Sequence, residues 1–599
     1  MAADYLAFAY ALEPGAAGAA RDAAQALTDV GWVLRWRRPG LEVWTQGRPE
    51  IPVSGDPAGT TVIIGHRFDG SESAASDADD PRAATSALSN ARRLIGQSWG
   101  AYVALLRDPT GASWILRDPT GAHDALTWTR EGLALVASDI ALAPARLRPR
   151  HLSLDWDVIT DFVRRPVSTS ARSPLTGLHA VAPGDLHPLG EGPDRAVACW
   201  RPQTWARRAR RLDPQAPEQL KRAVETAVNR TFAAYERCLV EVSGGLDSAV
   251  VALTADRLGW GGKVAGVLHF YGDRREADER SWAQLVRDRL GCWTPDQPLA
   301  LPALEEADFA IFSERARPTL NALDLNRDRA TAHMAQALSA DVLVTGKGGD
   351  AVFFQHPTAM LLADHLAACG LRHAFGRVAR DVARRLRRSV WSVAFEACGM
   401  IGRRRAGEEP PSPLLGARAR ATPQGPAHPW LTDLAGLPPG KRYQLEGLAL
   451  TQVHRGASRY GGLVDVVHPL MAQPVLEAAL AIPTWELARG GRDRGLERAL
   501  FADRVPPEIL NRQSKAEMSS FYARTVAANL PFLRGYLLDG CLCDAEVLDR
   551  VALERALRED ALIQAPDSTA VLSAAAIEAW IRHWQARVPD GRLARRAES

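Results

Sequence analysis

Hydrophobic and polar positions alternate with a period of two along the first 145 residues or so, which is the pattern of half-buried β-strands. Residues 31–47 contain two such runs on either side of an Arg-Pro-Gly turn, and residues 60–64 form a further apolar run. The sequence Leu-Arg-Asp-Pro-Thr-Gly then occurs twice, at 106–111 and 116–121. Because each copy follows an apolar run and ends in a turn, we predict consecutive antiparallel strands here. Residues 71–80 are polar and acidic and are predicted to form a loop.

Further along the chain, the pattern changes to strands that alternate with helices. Helices are predicted over 217–235, 248–258 and 278–290, and strands over 238–242, 264–270 and 342–345. This alternation is typical of a parallel α/β sheet. An arginine- and proline-rich stretch at 194–217 is predicted to be a linker, which divides the chain into domains 1–205 and 206–599.

Two arginine-rich segments follow the last of these strands. Residues 371–390 space apolar side chains at helical intervals between arginines, which predicts an amphipathic helix with a basic face. Such a face either contacts an acidic peptide or partner, or is only solvated. Residues 402–429 are rich in Arg, Pro and Gly and predict a flexible insertion, roughly over 400–430. The remainder, from about residue 441, is predicted to be mostly helical.

Composition adds limits to this picture. A chain of 599 residues is too long for one hydrophobic core, and its 46% hydrophobic and 24% charged residues are ordinary for a globular protein. The net charge of +3 gives no reason to expect nucleic-acid binding. We find no apolar stretch long enough to span a membrane and no signal peptide. Seven cysteines without a CxxC pair favour reduced thiols in a cytoplasmic protein.

The strongest chemical signal is a glycine loop directly after the strand 238–242 and before a helix. Its residues are Ser243, Gly244, Gly245, Leu246, Asp247 and Ser248. Glycines allow close approach of the backbone, and the N–H groups at the start of the helix attract phosphate. Asp247 can hold a magnesium ion that bridges phosphate oxygens. The loop lacks the Lys-Ser/Thr ending of a Walker A motif, and the alternative interpretation is a tight structural turn.

A second glycine loop follows the strand 342–345. It runs Thr345, Gly346, Lys347, Gly348, Gly349, Asp350. Ligands of open α/β sheets bind at the carboxyl ends of the strands, so we expect both loops at one site, with Asp350 as a second magnesium ligand. Lysine occurs only five times in the chain, so Lys347 and Lys515 are less typical of surface filler than lysines usually are.

These motifs resemble those of the asparagine synthetase superfamily. Residues 243–248 match its SGGLDS loop, 278–280 its Asp-Glu-Arg element and 345–350 its second glycine loop. The resemblance continues through 468–474, 491–494 and 512–515, and residues 65–70, 117–118 and 137–139 look like the glutaminase-type domain of that superfamily. It implies an α/β protein. An Ntn-type antiparallel β-sandwich would precede a parallel-sheet pyrophosphatase-loop synthetase domain that has a helical extension.

The resemblance also implies roles for individual residues. ATP and Mg²⁺ are the implied cofactors, with Asp247 and Asp350 as metal ligands and the first loop around pyrophosphate. Lys515 would stabilise negative charge at the α-phosphate and the tetrahedral intermediate, while Lys347 either contacts phosphate or points to solvent. Glu279 either supports the site or caps the following helix. The residues implied to touch adenosine are Val267, Leu268, Thr345 and Gly346.

Two departures from the superfamily pattern narrow the chemistry. Glutamine-dependent members need a cysteine directly after the initiator methionine, where this chain has Ala2, and its first cysteine is Cys199. We therefore expect a non-catalytic N-terminal domain that releases no ammonia from glutamine. Asparagine synthetases carry a glutamate where this chain has Lys347 and an acid where it has Ala351, so ammonia is a doubtful nucleophile.

Superfamily members without the cysteine include β-lactam synthetases and lasso peptide cyclases. Phe353 and Phe354 after the second loop, Gln473-Pro474, the 491–494 segment and the Arg/Pro insertion look more like the cyclases. Such an enzyme adenylates an Asp or Glu side chain of a precursor peptide, and the peptide's N-terminal amine closes a macrolactam. A leader-binding protein and a leader peptidase are implied partners. The alternatives are an amide ligase for a small substrate and a catalytically inactive peptide-binding scaffold.

Overall fold

The computed structural model describes residues 4–47, 50–57, 59–70, 86–167, 171–192, 195–274, 278–356, 358–401, 412–512, 519–558 and 567–588. The predicted acidic loop 71–80 lies outside these residues. Within them, no helix is long and apolar enough to cross a membrane.

Two antiparallel sheets form the N-terminal part of the chain. Their strands are β1 (Asp4–Tyr10), β2 (Val33–Arg38), β3 (Leu41–Gln46), β4 (Val53–Gly55), β5 (Thr61–Asp69), β6 (Ser98–Arg107), β7 (Ser113–Arg117), β8 (Leu126–Arg130), β9 (Leu133–Ala137), β10 (His179–Ala180), β11 (Asp185–Pro188) and β12 (Val197–Ala198). The strand orders are β10-β8-β9-β1-β3-β2 and β12-β11-β7-β6-β5-β4. Alternate side chains of both sheets, such as Val43, Ile64 and Val103, share one buried cluster, so the sheets pack face to face.

The predicted strands of this region are confirmed. Residues 31–47 form the antiparallel pair β2–β3, and the strand predicted at 60–64 extends to the end of β5. The repeated Leu-Arg-Asp-Pro-Thr-Gly motifs end β6 and β7, which pair antiparallel as neighbours. Helices α1 (Pro14–Asp29) and α2 (Ala87–Gln97) flank the sheets. Each buries only an alanine-rich stripe, as the small residues of an amphipathic helix allow.

A parallel sheet lies in the C-terminal part. Its strands are β13 (Cys238–Glu241), β14 (Val264–Leu268), β17 (Val342–Val344) and β18 (Asp465–Val467), and a short separate pair is formed by β15 (Phe270–Tyr271) and β16 (Gln297–Pro298). The order β14-β13-β17-β18 places β13 and β17 side by side. These two strands are almost entirely apolar because helices cover both faces of a parallel sheet.

Helices occupy most of the remaining chain. Those up to residue 400 are α3 (Trp156–Arg164), α4 (Pro202–Ala206), α5 (Ala216–Ala234), α6 (Leu246–Arg257), α7 (Arg280–Leu290), α8 (Ala310–Ser313), α9 (Leu325–Ala337), α10 (Gly349–Val352), α11 (Met360–Cys369), α12 (Arg377–Leu386) and α13 (Val390–Met400). The later ones are α14 (Ala417–Ala421), α15 (Pro439–Leu450), α16 (Gln473–Ala481), α17 (Thr484–Leu487), α18 (Gly495–Leu500), α19 (Pro507–Leu510), α20 (Ser519–Ala528), α21 (Leu530–Leu538), α22 (Cys541–Asp544), α23 (Arg550–Ala556) and α24 (Ser568–Gln585).

Two predicted segments differ from what is observed. The basic helix predicted over 371–390 is shorter, because α12 begins after Gly376 and ends where Arg387 adopts a left-handed conformation with φ 53°. A separate helix, α13, then starts at a Ser389 cap. The predicted insertion lies partly outside the described residues, and its described part contains α14 and buries Leu415 against the C-terminal helices.

The predicted linker is also packed rather than extended in solvent. Trp200 and Ala206, at the start and end of this packed stretch, are buried in a cluster that includes strands of the N-terminal sheets and helices of the C-terminal part. The Trp200 indole donates to Glu477 Oε1 at 2.8 Å, and Gln473 Nε2 donates to the carbonyl of Ile95 at 3.2 Å. The two parts therefore share a hydrophobic core.

Candidate active site

The two glycine loops meet at the carboxyl ends of the neighbouring strands β13 and β17. A Cβ added to Gly349 would lie 2.5 Å from Cγ of Asp247, and one added to Gly346 would lie 2.5 Å from the Ser248 nitrogen. No other residue type has room at these two positions. The second loop thus packs directly on the first, as the parallel-sheet prediction required.

The first loop opens α6 with its backbone held by two serines. Gly244 has a φ of 77°, and Gly245 is the N-cap of α6. Ser248 Oγ accepts from the Ser243 N–H at 3.1 Å, and Ser243 Oγ accepts from the Gly245 N–H at 3.3 Å. These bonds fix the turn in front of the helix N-terminus, where the helix dipole favours an anion.

A single arginine bridges the two predicted metal ligands. Arg494 Nη1 donates to Asp247 Oδ2 at 2.6 Å and to Asp350 Oδ1 at 2.9 Å. The Arg494 side chain is only 5% exposed, and its backbone is left-handed with φ 49°, which is uncommon for a residue other than glycine. Both carboxylates therefore face the same point, and a positive charge already lies between them.

A further carboxyl group lies behind this pair. Glu497 on α18 is fully buried beside Asp247. Burial, together with the negative charge of Asp247, raises the pKa of Glu497 well above its usual range. Asp493 also pairs with Arg494, because Asp493 Oδ2 accepts from Arg494 Nη2 at 3.0 Å. The segment 493–497 thus supplies charged groups that our sequence interpretation noted only as part of a motif.

The donor set fits a hard cation next to a phosphate. Two carboxylates that converge on one point are the ligands that Mg²⁺ prefers, and the guanidinium of Arg494 stands where such a cation would be held. The N-terminus of α6 faces the same loop and suits phosphate oxygens. The residues present therefore match a magnesium-bound triphosphate.

Arg512 holds the first loop from the outside. Its Nη1 donates to the carbonyl of Gly244 at 3.0 Å, its Nη2 forms an ion pair with Glu279, and its guanidinium lies 4.0 Å from the centre of the Trp282 ring. Glu279 is the N-cap residue of α7 but its side chain makes no capping bond, so of the two predicted roles the structure favours support of the site. Lys515 lies outside the described residues, and its role stays a prediction.

Lys347 lies on the side of the second loop that faces α9 and the 454–468 segment. Burial, only partly offset by the charge of Glu241, lowers the pKa of Lys347 to about 7. Its backbone N–H donates to Thr345 Oγ1 at 3.1 Å, and that hydroxyl lies 2.8 Å from His468 Nδ1. Four further charged groups surround the lysine. The positive ones are Arg327 and Arg455, and the negative ones are Glu241 and Asp324.

The residues predicted to contact adenosine are distributed unevenly around the loops. Val267 and Leu268 at the end of β14 are fully buried. The Val267 N–H donates to Thr294 Oγ1 at 3.0 Å, and the Val267 carbonyl accepts from the same hydroxyl. Thr345 and Gly346 lie in the second loop against the first. Contact of these residues with adenosine stays a prediction, and at Val267 the backbone groups already have partners.

Two adjacent strands of the parallel sheet end in glycine loops that touch, and paired carboxylates lie where the loops meet. This arrangement is that of an α/β domain that binds nucleotide phosphates. The asparagine synthase family model matches residues 219–582, which is more than half of the chain, so the protein belongs to the asparagine synthase family. It is an ATP-dependent, AMP-forming carbon–nitrogen ligase of the asparagine synthetase type. Members of this family use ATP, typically with Mg²⁺. Comparison with curated proteins gave no match.

Proposed function

We propose that this ligase closes a macrolactam ring in a precursor peptide, as the lasso peptide cyclases do. The observation that carries the proposal is the environment of Lys347. At a position where asparagine synthetases have a glutamate, this chain places a cation beside Arg327 and Arg455. Ammonia in solution is mostly ammonium at neutral pH, and a lysine at this position supplies no carboxylate that would attract this cation. An amine carried by the substrate needs no such binding site, because it is already near the activated carboxyl group.

In the proposed reaction, a side-chain carboxylate of Asp or Glu in the peptide attacks the α-phosphate of ATP and releases pyrophosphate. The peptide's N-terminal amine then displaces AMP and forms the isopeptide bond. Ser243, Gly245 and Ser248 would position the pyrophosphate end of the triphosphate, and Lys515 would stabilise charge at the α-phosphate. The neutral fraction of Lys347 is able to accept the proton that the attacking amine loses.

Asp247 and Asp350 would hold Mg²⁺ at the point where both now contact Arg494. Bound there, the metal supplies positive charge that neutralises the departing pyrophosphate. The role of Arg494 is then to hold the two carboxylates together before the metal binds, because its guanidinium attracts both the buried Asp247 and the partly exposed Asp350.

The N-terminal part is proposed to have no glutaminase activity. Burial raises the pKa of the Cys199 thiol to about 11, so at neutral pH this cysteine is a thiol and not the thiolate that attacks an amide. The precursor peptide is the proposed substrate, and a leader-binding protein and a leader peptidase are proposed partners.

Peptide-dependent release of pyrophosphate tests this function. A panel of short peptides, each with a free N-terminal amine and one Asp or Glu, is incubated with ATP and Mg²⁺, and products are analysed by mass spectrometry. We expect one or more peptides to lose one water and resist Edman degradation, because the N-terminal amine is consumed. The N-acetylated form of the same peptide should still release pyrophosphate but give no ring. If ammonia with free aspartate gives product instead, the ligase acts on a small substrate and the proposal is wrong.

A further inference from the structure

Four large apolar side chains are exposed together on the surface formed by α12, α13 and the turn that precedes them. We call this surface the aromatic face, and its residues are Leu371, Phe375, Trp391 and Phe395. Trp391 is 72% and Phe395 is 86% exposed, and the rings of Phe375 and Trp391 lie 4.3 Å apart. Large apolar residues are costly to expose as a cluster, and such clusters mark interaction sites.

The same segment carries an excess of positive charge. Residues 371–400 contain seven arginines and only two acids, Asp381 and Glu396. Asp381 pairs with Arg377 and Arg384, and Glu396 pairs with Arg388. Of the other exposed arginines of the segment, Arg372, Arg380 and Arg387 have no carboxylate within salt-bridge distance among the residues that the structure describes. Three exposed arginines without such a carboxylate therefore lie on the same segment of the chain as the aromatic face.

Helix α12 is tied to the active site by two of its arginines. Arg384 Nη2 donates to the carbonyl of Gly490 at 3.0 Å, and Arg385 Nη1 donates to that of Arg492 at 2.9 Å. Arg385 also bonds the carbonyl of Gln355, whose side-chain amide lies against the Asp350 carboxylate. The helix that borders the aromatic face therefore also contacts the two segments that carry Arg494 and Asp350.

We propose that the aromatic face binds an acidic stretch of the peptide substrate, with apolar side chains among the acids, at a distance from its reacting residues. Exposed aromatic rings supply the apolar contact area, and Arg372, Arg380 and Arg387 supply charge complementarity and select acidic partners. Binding energy from such a remote stretch helps to hold the reacting groups in the site. The identity of the occupant rests on the proposed function, in which the substrate is a peptide.

The direct test uses a fluorescently labelled random copolymer of glutamate and tyrosine and the full-length protein, without ATP. Fluorescence anisotropy should show saturable binding, and the double substitution Trp391→Ala/Phe395→Ala should weaken it by about tenfold or more. Trp293→Ala is the matched control, since Trp293 is 74% exposed but lies outside the aromatic face. Arg380→Gln/Arg387→Gln should weaken binding at low salt and matter less at high salt. All these side chains are exposed, so the variants should unfold at the temperature of the wild type.

Several results would overturn the inference. One is binding that the control substitution weakens as much as the double substitution. Another is full competition by polyphosphate with no effect of the alanine substitutions, which indicates an unspecific polyanion site. A third is a dimer in sedimentation analysis that the double substitution dissociates, which makes a second copy the occupant. Copolymer binding needs no ring closure, so its survival in a protein that cyclises no peptide would contradict only the proposed function.

Discussion

Arg494 is the residue that most changes the interpretation of the site. Its guanidinium joins Asp247 and Asp350, and it comes from a segment far from both in sequence. We expect Arg494→Gln to lower the free energy of unfolding by about 3–5 kcal/mol, because it removes the guanidinium that offsets the charge of the buried Asp247 carboxylate. Since Mg²⁺ can then replace the lost charge, the metal should raise the melting temperature of this variant more than that of the wild type.

Thermal unfolding with and without MgCl₂ measures this effect. Arg195→Gln is the control, because the Arg195 side chain is 72% exposed and its ion pair with Glu191 lies at the surface. Equal stabilisation of wild type and Arg494→Gln by Mg²⁺ would show that the metal does not bind where the arginine now lies.

Lys347 gives a prediction for the pH dependence of stability. Its pKa falls from 10.5 to about 7 on folding, so between these values the unfolded chain binds more protons and the free energy of unfolding rises with pH. Lys347→Met removes this penalty. The variant should therefore be more stable than the wild type below about pH 7, and its advantage should fade as the pH approaches 10.5.

Lys441 is the matched control for this experiment. It is 1% exposed, its pKa is also lowered to about 7 by burial, and its Nζ donates to Gln444 Oε1 and the Ala479 carbonyl and not to a residue of the glycine loops. Lys441→Met should alter the pH dependence of denaturant unfolding in the same direction. Because the neutral amine of Lys347 is the proposed proton acceptor, the ligase activity of the wild type should rise as the pH passes about 7, and only Lys347→Met should remove this rise. If both substitutions leave the activity profile unchanged, Lys347 does not take part in the proton transfer.

At this scale, the sequence predicts the residues whose position follows from local pattern. Asp247 and Asp350 follow apolar strands, and adjacent parallel strands bring such positions together. The sequence does not predict that Arg494 lies between them, because this depends on how a distant segment folds back. Lys515 has a motif but lies outside the described residues, so its role rests on the resemblance alone.

At the scale of elements, the loop before α6 depends on Arg512. Its guanidinium joins the Gly244 carbonyl to Glu279 of α7. Replacing it with glutamine removes charge-assisted bonds worth about 1.5–3 kcal/mol, so we expect the KM for ATP to rise about tenfold or more. Pyrophosphate exchange at several ATP concentrations measures this, with Arg524→Gln as the control because its ion pair with Asp273 lies at the surface. An unchanged KM would mean that the loop keeps its shape without the clamp.

Element boundaries show where pattern alone is insufficient. The helical spacing of 371–390 predicts one helix, yet the helix ends near Arg387. Phe375, which the pattern assigns to the apolar side, is half exposed. The break has a local cause that the sequence contains, because the Ser389 hydroxyl accepts from the Ser392 N–H and starts a new helix. A capping residue can therefore override an unbroken apolar stripe.

At the scale of the whole molecule, the coarse architecture was predictable. Period-two alternation predicts the antiparallel sheets, and alternating helices and strands predict the parallel sheet. The contact between these parts was not predicted, because the 194–217 stretch was interpreted only as a linker and nothing in its pattern shows that Trp200 is buried against Glu477. Which surfaces meet depends on shape and burial over long distances, which a single sequence does not display.

The shared core gives a prediction for cooperativity. Glu477 is buried and accepts from both Trp200 and Gln473. Glu477→Ala leaves these donors unsatisfied, so we expect a loss of about 1–3 kcal/mol of stability. Because the cluster joins both parts, calorimetry should still show one transition at a lower temperature. Two separated transitions in the variant would show that the parts fold independently.

The account as a whole depends on one reaction, the peptide-dependent splitting of ATP at the two glycine loops. The most direct measurement compares wild type with Asp247→Asn, which keeps the shape of the side chain but removes its charge. The wild type should release pyrophosphate only when a peptide substrate is present and form a macrolactam only when that peptide has a free N-terminal amine, and the variant should do neither at a rate above background. Product formation from ammonia and free aspartate by the wild type, or undiminished pyrophosphate release by the variant, would contradict the account.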